Sequence, residues 1–138
     1  MDKLSKKNME LSRLIEFSLM GDERGSLVAM DSSLGVPFKV KRAYFIFDTK
    51  KGVVRGCHAH RSLHQVAVCV SGSCNIILDN GVVRENIIMN SPIIGLDLPP
   101  MLWHEMNNFS DDCILLVLAS DFYDESEYIR SYEEFLSC

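Results

Sequence analysis

Positive charge is in short supply in this chain: 14 lysines and arginines stand against 19 acidic residues, a formal net charge of −5 over 138 residues. That balance excludes a general nucleic-acid binder and leaves no polybasic patch for a membrane surface. It keeps a nucleotide ligand open, because a few clustered arginines bind phosphate even within an acidic protein. Long hydrophobic runs are absent as well. The longest, Cys113–Ala119, falls far short of the ~20 apolar residues that span a bilayer. No apolar segment follows the charged stretch Met1–Glu10, so no secretory signal is expected. The five cysteines (Cys57, Cys69, Cys74, Cys113 and Cys138) are odd in number and form no C-x-x-C pair. Four of them lie in or beside apolar runs, where a free thiol serves as a small core hydrophobe. A reduced, cytoplasmic protein is the expectation. Repeats, linkers and low-complexity segments are missing too, which leaves one domain.

What remains is the composition of an ordinary globular domain, 47% hydrophobic and 24% charged. Residues 1–10 are polar and lysine-rich and read as a frayed terminus, with a single domain over 11–138. Leu11–Ser18 suits a short strand or one helical turn. Gly21–Gly25 is a turn by composition, with a short strand at Ser26–Met30 after it. Val36–Asp48 reads as one long strand, half-exposed at first and buried later. From there strand and turn alternate: Gln65–Val70, Cys74–Leu78, Val82–Met89, Ile93–Leu98, Met101–Asn107 and Asp112–Ala119. The Asn80-Gly81 pair between two apolar runs is a strong hairpin signal. Short strands at this spacing indicate an all-β sandwich or barrel. Tyr128, Ile129, Tyr132, Phe135 and Leu136 fall at helical spacing, which predicts a C-terminal helix over Asp124–Leu136.

Three of the four histidines crowd into Val54–Gln65. His58 and His60, one residue apart, share a face of an extended strand. Such a pair suits either proton transfer or metal binding. Gly56-Cys57-His58-Ala59-His60, followed by Gln65 and Gly72, resembles the first cupin motif, and Pro99–Asn108 resembles the second. In metal-binding cupins the first motif supplies two histidines and a glutamate, and the second supplies one more histidine. His58 and His60 match the pair and His104 the lone histidine. Gln65 stands at the glutamate position, and Met101 stands where the second motif has glycine. An amide is a poor substitute for a carboxylate on a divalent ion, although three imidazoles and a water can hold zinc. His64 reads as a loop residue.

A fuller resemblance runs from Gly21 to Leu136 and is to the sugar 3,4-ketoisomerases acting on TDP-4-keto-6-deoxyglucose. It is carried by Gly21–Leu27, Val53–Arg61, Trp103–Met106, and Leu116–Asp121 with Tyr123-Asp124-Glu125. The resemblance implies a cupin jelly roll (a double-stranded β-helix), here with a short C-terminal helix. It implies a homodimer that exchanges N-terminal β structure, and catalysis with neither metal nor organic cofactor. The activity implied is movement of the ketone from C4 to C3, in making deoxyamino sugars for surface glycans. Arg24 together with His104 resembles the branch that forms the galacto product.

That chemistry suits the residues. A proton leaves C3, an enediol or enediolate forms, and a proton returns at C4; histidine is the side chain that titrates near neutrality. His58 or His60 is expected as the base at C3, with the other relaying charge at oxygen. His104 is expected as proton donor or oxygen ligand at C4. Alternatively, one of the three is a hydrogen-bonded core residue. Arg55 and Arg42 are candidates for the diphosphate, since guanidinium binds phosphate oxygens in pairs. Arg24 is a candidate for the sugar or a phosphate, and Gln65 for a sugar hydroxyl. Tyr44 and Trp103 either line the pocket or pack in the β-core. Arg61 and Arg84 read as surface. The same residues also allow a metal-dependent cupin enzyme on His58, His60 and His104, a non-catalytic nucleotide-sugar binder, or an epimerase.

Overall fold

Two five-stranded antiparallel sheets face each other in the computed structural model, which describes residues 3–7 and 10–138. In chain order the strands are β1 (Leu14–Glu16), β2 (Met20–Asp22), β3 (Gly25–Leu27), β4 (Arg42–Phe47), β5 (Arg55–His60) and β6 (Gln65–Ser71). They continue as β7 (Cys74–Asp79), β8 (Arg84–Met89), β9 (Ile94–Leu98), β10 (Trp103–Asn107), β11 (Ile114–Ala119) and β12 (Tyr128–Ile129). One sheet runs β1-β9-β6-β11-β4 and the other β12-β5-β10-β7-β8, while β2 and β3 form a separate hairpin. This is the jelly-roll order: apart from the β7–β8 hairpin, successive strands from β4 to β12 alternate between the sheets, so most neighbours within a sheet come from distant parts of the chain. Part of the polar leader expected to fray lies outside the described residues. Within it, Lys3–Lys7 form one short helix, α1, and the Lys6 carbonyl accepts a bond from Asn80 Nδ2 at 2.9 Å.

The alternation read from the sequence builds the core. Ile76, Leu78, Leu96, Leu115 and Val117 turn inward from both sheets and are fully enclosed. On the outer face of the first sheet, Val66, Val68 and Leu118 gather a second cluster with Phe17 and Val36. Phe17 presses so closely on β9 that a Cβ added at Gly95 would sit 2.7 Å from its ring. Among the described residues no helix is long and apolar enough to cross a membrane.

Two expectations are corrected. The long strand over Val36–Asp48 is only β4, and burial does not increase along it. Asp31–Val36 is a turn closed by bonds from Leu34 N and Val36 N to Asp31 O. Val36, Phe38 and Val40 alternate because this irregular stretch lies on the outer face of the sheet and packs into its cluster. In β4, Tyr44 and Ile46 turn inward, and Phe45 and Phe47 remain 59% and 56% exposed. The helix expected over Asp124–Leu136 is three pieces: a 3-10 turn at Glu125–Glu127, the strand β12, and helix α2 at Tyr132–Ser137. The edge of β5 offers unpaired backbone, and Tyr128 and Ile129 pair with His60 and Ala59 there. Asp124 caps the turn through Ser126 N, and Ser131 caps α2 through Glu134 N. The helical period of the apolar residues is therefore shared between a buried strand residue, Ile129, and a helix face carrying Phe135.

Candidate active site

The histidines are aimed by an irregularity in β5. His104 pairs with His58, but Glu105 pairs with Gly56 and Met106 with Arg55, so Cys57 is an extra residue. Gly56 and Cys57 both take positive φ, at 80° and 57°. Such a bulge reverses the phase of the strand on one side. Simple alternation would send Arg55 to the face opposite His58. With the bulge, both face the same way as their partners Met106 and His104, and all four line one cleft. Only glycine suits the first bulge position: a Cβ at Gly56 would lie 3.1 Å from the His104 carbonyl.

The three imidazoles meet at this end of the space between the sheets. Ring centroids are 4.8 Å apart for His58 and His60, 4.6 Å for His58 and His104, and 5.8 Å for His60 and His104. Their nitrogens offer one ligand atom each within 4.8 Å of one another, a set able to hold a divalent ion. The residue at the cupin glutamate position, Gln65, is fully buried and donates through Nε2 to the Tyr44 hydroxyl at 2.9 Å. The cleft in front measures about 570 Å³ and is walled by Tyr44, Arg55, His58, His104, Tyr128 and Arg130, among others. That volume falls within the range of small-molecule sites.

Tautomers and charge follow from the surroundings. His58 Nδ1 donates to the Gly56 carbonyl at 3.0 Å, which leaves Nε2 as a free acceptor. His104 Nδ1 lies 3.4 Å from the Leu102 carbonyl and takes the same tautomer. Burial lowers the pKa of all three rings: His58 falls below its usual value, His60 to about 4 and His104 to about 3. A proton on one ring would oppose a proton on the next, which pushes the same way for His60 and His104. All three are therefore neutral at neutral pH. Burial raises the Tyr44 hydroxyl pKa, so it keeps its proton. Among the described residues, buried side-chain atoms without a hydrogen-bond partner are both nitrogens of His60, His104 Nε2, Gln65 Oε1, and Arg42 Nε and Nη2. Unpaired buried polar atoms are costly, and all of these belong to residues of this cluster or the strand beside it.

Placement of the expected residues is uneven. His58, His104, Arg55 and Tyr44 line the cleft. His60 and Gln65 are buried beside it, and Arg42 lies over the Tyr44 and Tyr123 rings, 5.2 Å and 5.6 Å from their centroids. Trp103 does not line it. It points to the outer face of the sheet, where its ring packs on Tyr132 and Phe135 and its Nε1 donates to Glu105 at 2.9 Å. Period two along β10 separates it from His104, so the indole is packing. Arg24 does not approach the histidines of its own chain either. It sits at the tip of the β2–β3 hairpin, 85% exposed, paired with Asp22. Arg84, read as surface, bridges Asp79 and Glu105 on the outer face.

Sequence reasoning missed Tyr128 and Arg130. Tyr128 packs edgewise against His58 and His60, with centroids 4.9 Å and 4.6 Å away. Arg130 stacks 4.3 Å over Tyr128 and is held by Glu125 at 2.9 Å and 3.0 Å. Reading this stretch as helix hid the alternation that sends both side chains to the cleft.

A jelly roll carrying three inward histidines from two neighbouring strands, beside an open cleft, defines a cupin. Comparison with known proteins narrows the class: residues 9–138 match the family described as FdtA, WxcM-like, C-terminal, and the chain belongs to that family. It is 51% identical over 124 residues to a TDP-4-oxo-6-deoxy-alpha-D-glucose-3,4-oxoisomerase from Aneurinibacillus thermoaerophilus, covering 90% of this chain and 89% of that one. The TDP-quinovose 3,4-ketoisomerase WlaRB of Campylobacter jejuni superposes with a TM-score of 0.88 at 48% identity, covering 94% of this chain and all of that one. The 3,4-ketoisomerase QdtA of Thermoanaerobacterium thermosaccharolyticum was solved as a histidine-to-asparagine mutant with TDP-4-keto-6-deoxyglucose bound. It superposes at 0.89 with 38% identity over 94% of each chain.

Proposed function

We propose that this chain is a nucleotide-sugar 3,4-ketoisomerase, which moves the ketone of TDP-4-keto-6-deoxyglucose from C4 to C3 in the cytoplasm, using no metal or organic cofactor. The observation that carries this reading is a cluster of three neutral imidazoles, two of them lining a cleft and the third directly behind it, bordered by unpaired polar atoms. The near full-length similarity to 3,4-ketoisomerases supports it. His58 Nε2, held unprotonated by the Nδ1 bond to Gly56, removes the C3 proton. Charge then develops on O4, the O3 proton passes to O4, and C4 receives a proton as C3 becomes the ketone. The sequence suggested His104 as that donor or as an oxygen ligand at C4. As a neutral ring with its proton committed toward Leu102, it instead presents Nε2 as an acceptor. Tyr44 is the better donor, because its oxygen accepts from Gln65 and its own O–H stays free. Arg55 and Arg130 flank the cleft and hold the diphosphate.

The same imidazoles would also hold a divalent ion, so the test uses chelator-treated protein. Incubated with TDP-4-keto-6-deoxyglucose in deuterated buffer, it is expected to give a 3-keto product labelled at C4, with the galacto configuration by NMR. A product that inverts a centre without moving the ketone, or activity that returns only with added metal, would defeat this reading.

The working form is a homodimer in which each chain lends its N-terminal hairpin to the other. Leu19, Met20 and Leu27 on or beside that hairpin are 59%, 42% and 57% exposed, and edge strand β4 shows Phe45 and Phe47 to solvent. An apolar edge of this kind is covered in stable proteins. Exchange would also carry Arg24, at the tip of the hairpin, toward a partner's cleft. Light scattering is expected to give twice the chain mass of 15.6 kDa; a single-chain mass at assay concentration would exclude the dimer.

A further inference from the structure

Three cysteines that the sequence marked only as core residues come together about 13 Å along β6 from Gln65, four residues further at strand rise. Cys69, Cys74 and Cys113 are 1%, 0% and 4% exposed, and their sulfurs lie within 4.8 Å of one another. They come from β6, β7 and the approach to β11, so the cluster touches both sheets. The frame around it is rigid. Ser110 N donates to Ser73 O at 2.9 Å, Ser73 N donates to Ser110 Oγ at 2.9 Å, and Cys113 N donates to Ser110 O at 3.1 Å. The two loops are so close that a Cβ at Gly72 would meet Ser110 Oγ at 2.3 Å.

The spacing distinguishes the possible chemistries. Cys69 Sγ lies 3.7 Å from Cys113 Sγ. A disulfide needs about 2.05 Å, and pairing two of the three would strand the third. Sulfurs bound to one tetrahedral zinc at about 2.3 Å stand about 3.8 Å apart, close to the Cys69–Cys113 separation, and Cys74 lies within 4.8 Å of both. Cys69 Sγ also donates to the Ser71 and Gly72 carbonyls at 3.1 Å and 3.4 Å, which fixes its place in the set.

We propose that Cys69, Cys74 and Cys113 form a soft-metal site that takes one thiophilic dication of the zinc class and staples the two sheets together. Binding exchanges thiol protons for the metal, with no oxidant or reductant, so it strengthens as pH rises. The site is independent of the histidines and of the isomerase reading.

The test is titration of the reduced full-length protein with cadmium chloride, reading sulfur-to-cadmium charge-transfer absorption, which imidazoles do not produce. The expected result is saturation at one equivalent per chain, a rise in the thermal midpoint, and the same titration in His58→Asn. Cys69→Ser and Cys74→Ala are expected to lose the band. No band at stoichiometric metal, or a band that survives both substitutions, overturns the proposal. Should those variants fail to fold, wild-type protein in urea decides, with alkylated sites mapped by mass spectrometry. Cadmium is expected to protect these three thiols and leave Cys57 and Cys138 reactive; equal labelling with and without cadmium rejects the site.

Discussion

His58→Asn is expected to lower the isomerisation rate by roughly a hundred- to ten-thousand-fold, the usual weight of a positioned general base, while TDP binds with near wild-type affinity. Asparagine can keep the bond to the Gly56 carbonyl through its amide, so the bulge that positions Arg55 survives. It has no nitrogen lone pair to take the C3 proton. The loss should fall on the chemical step, seen as absence of deuterium both in product and in recovered substrate. His60→Asn is expected to cost less, because His60 lies behind the cleft wall and acts through its neighbours His58 and Tyr128. Deuterium exchange in His58→Asn above a tenth of the wild-type rate would move the base to another residue. Unchanged TDP affinity by calorimetry is the control that separates lost chemistry from a collapsed cleft.

How far these roles could be read in advance depended on whether the signal was local. The paired imidazoles were legible because period two is a property of one strand, and the all-β architecture because turn residues recur between apolar runs. Arg55 reached the right cleft in the sequence reading for an incomplete reason: its neighbourhood to His58 was visible, the bulge at Cys57 that turns it inward was not. Trp103 and His104 are adjacent in sequence and face opposite sides of the sheet, so proximity to a motif misled for one of them. Tyr128 and Arg130 were hidden because their spacing fits a helix as well as a strand. Only the open edge of β5, a tertiary feature, decides between the two. The cysteine cluster joins three segments whose meeting depends on the whole jelly roll, and no spacing rule announces it.

Acid is expected to unfold the protein in a window set by the histidines. His60 and His104 have folded pKa values lowered to about 4 and about 3, against an ordinary value near 6.5. Between those limits the unfolded chain binds protons that the folded chain refuses, so stability falls as pH drops from about 6.5 and the fall continues to about 4. Each fully differential histidine contributes about 1.4 kcal/mol per pH unit; His104 supplies that much and His60 at most as much again. Against a domain stability of about 5–15 kcal/mol, two pH units in this window remove a large share. Glu125, held low by Arg130, weakens the fold only at lower pH, as it protonates through the carboxylate range. Urea midpoints followed from neutrality to acid are therefore expected to fall steeply before any carboxylate titrates. His104→Asn should flatten that slope by about half, whatever it does to the midpoint at neutral pH. Activity should outlast the ordinary histidine range, because burial also lowers the His58 pKa and keeps its Nε2 free in mild acid. A urea midpoint that stays level down to the carboxylate range would mean these rings take up protons in the folded protein.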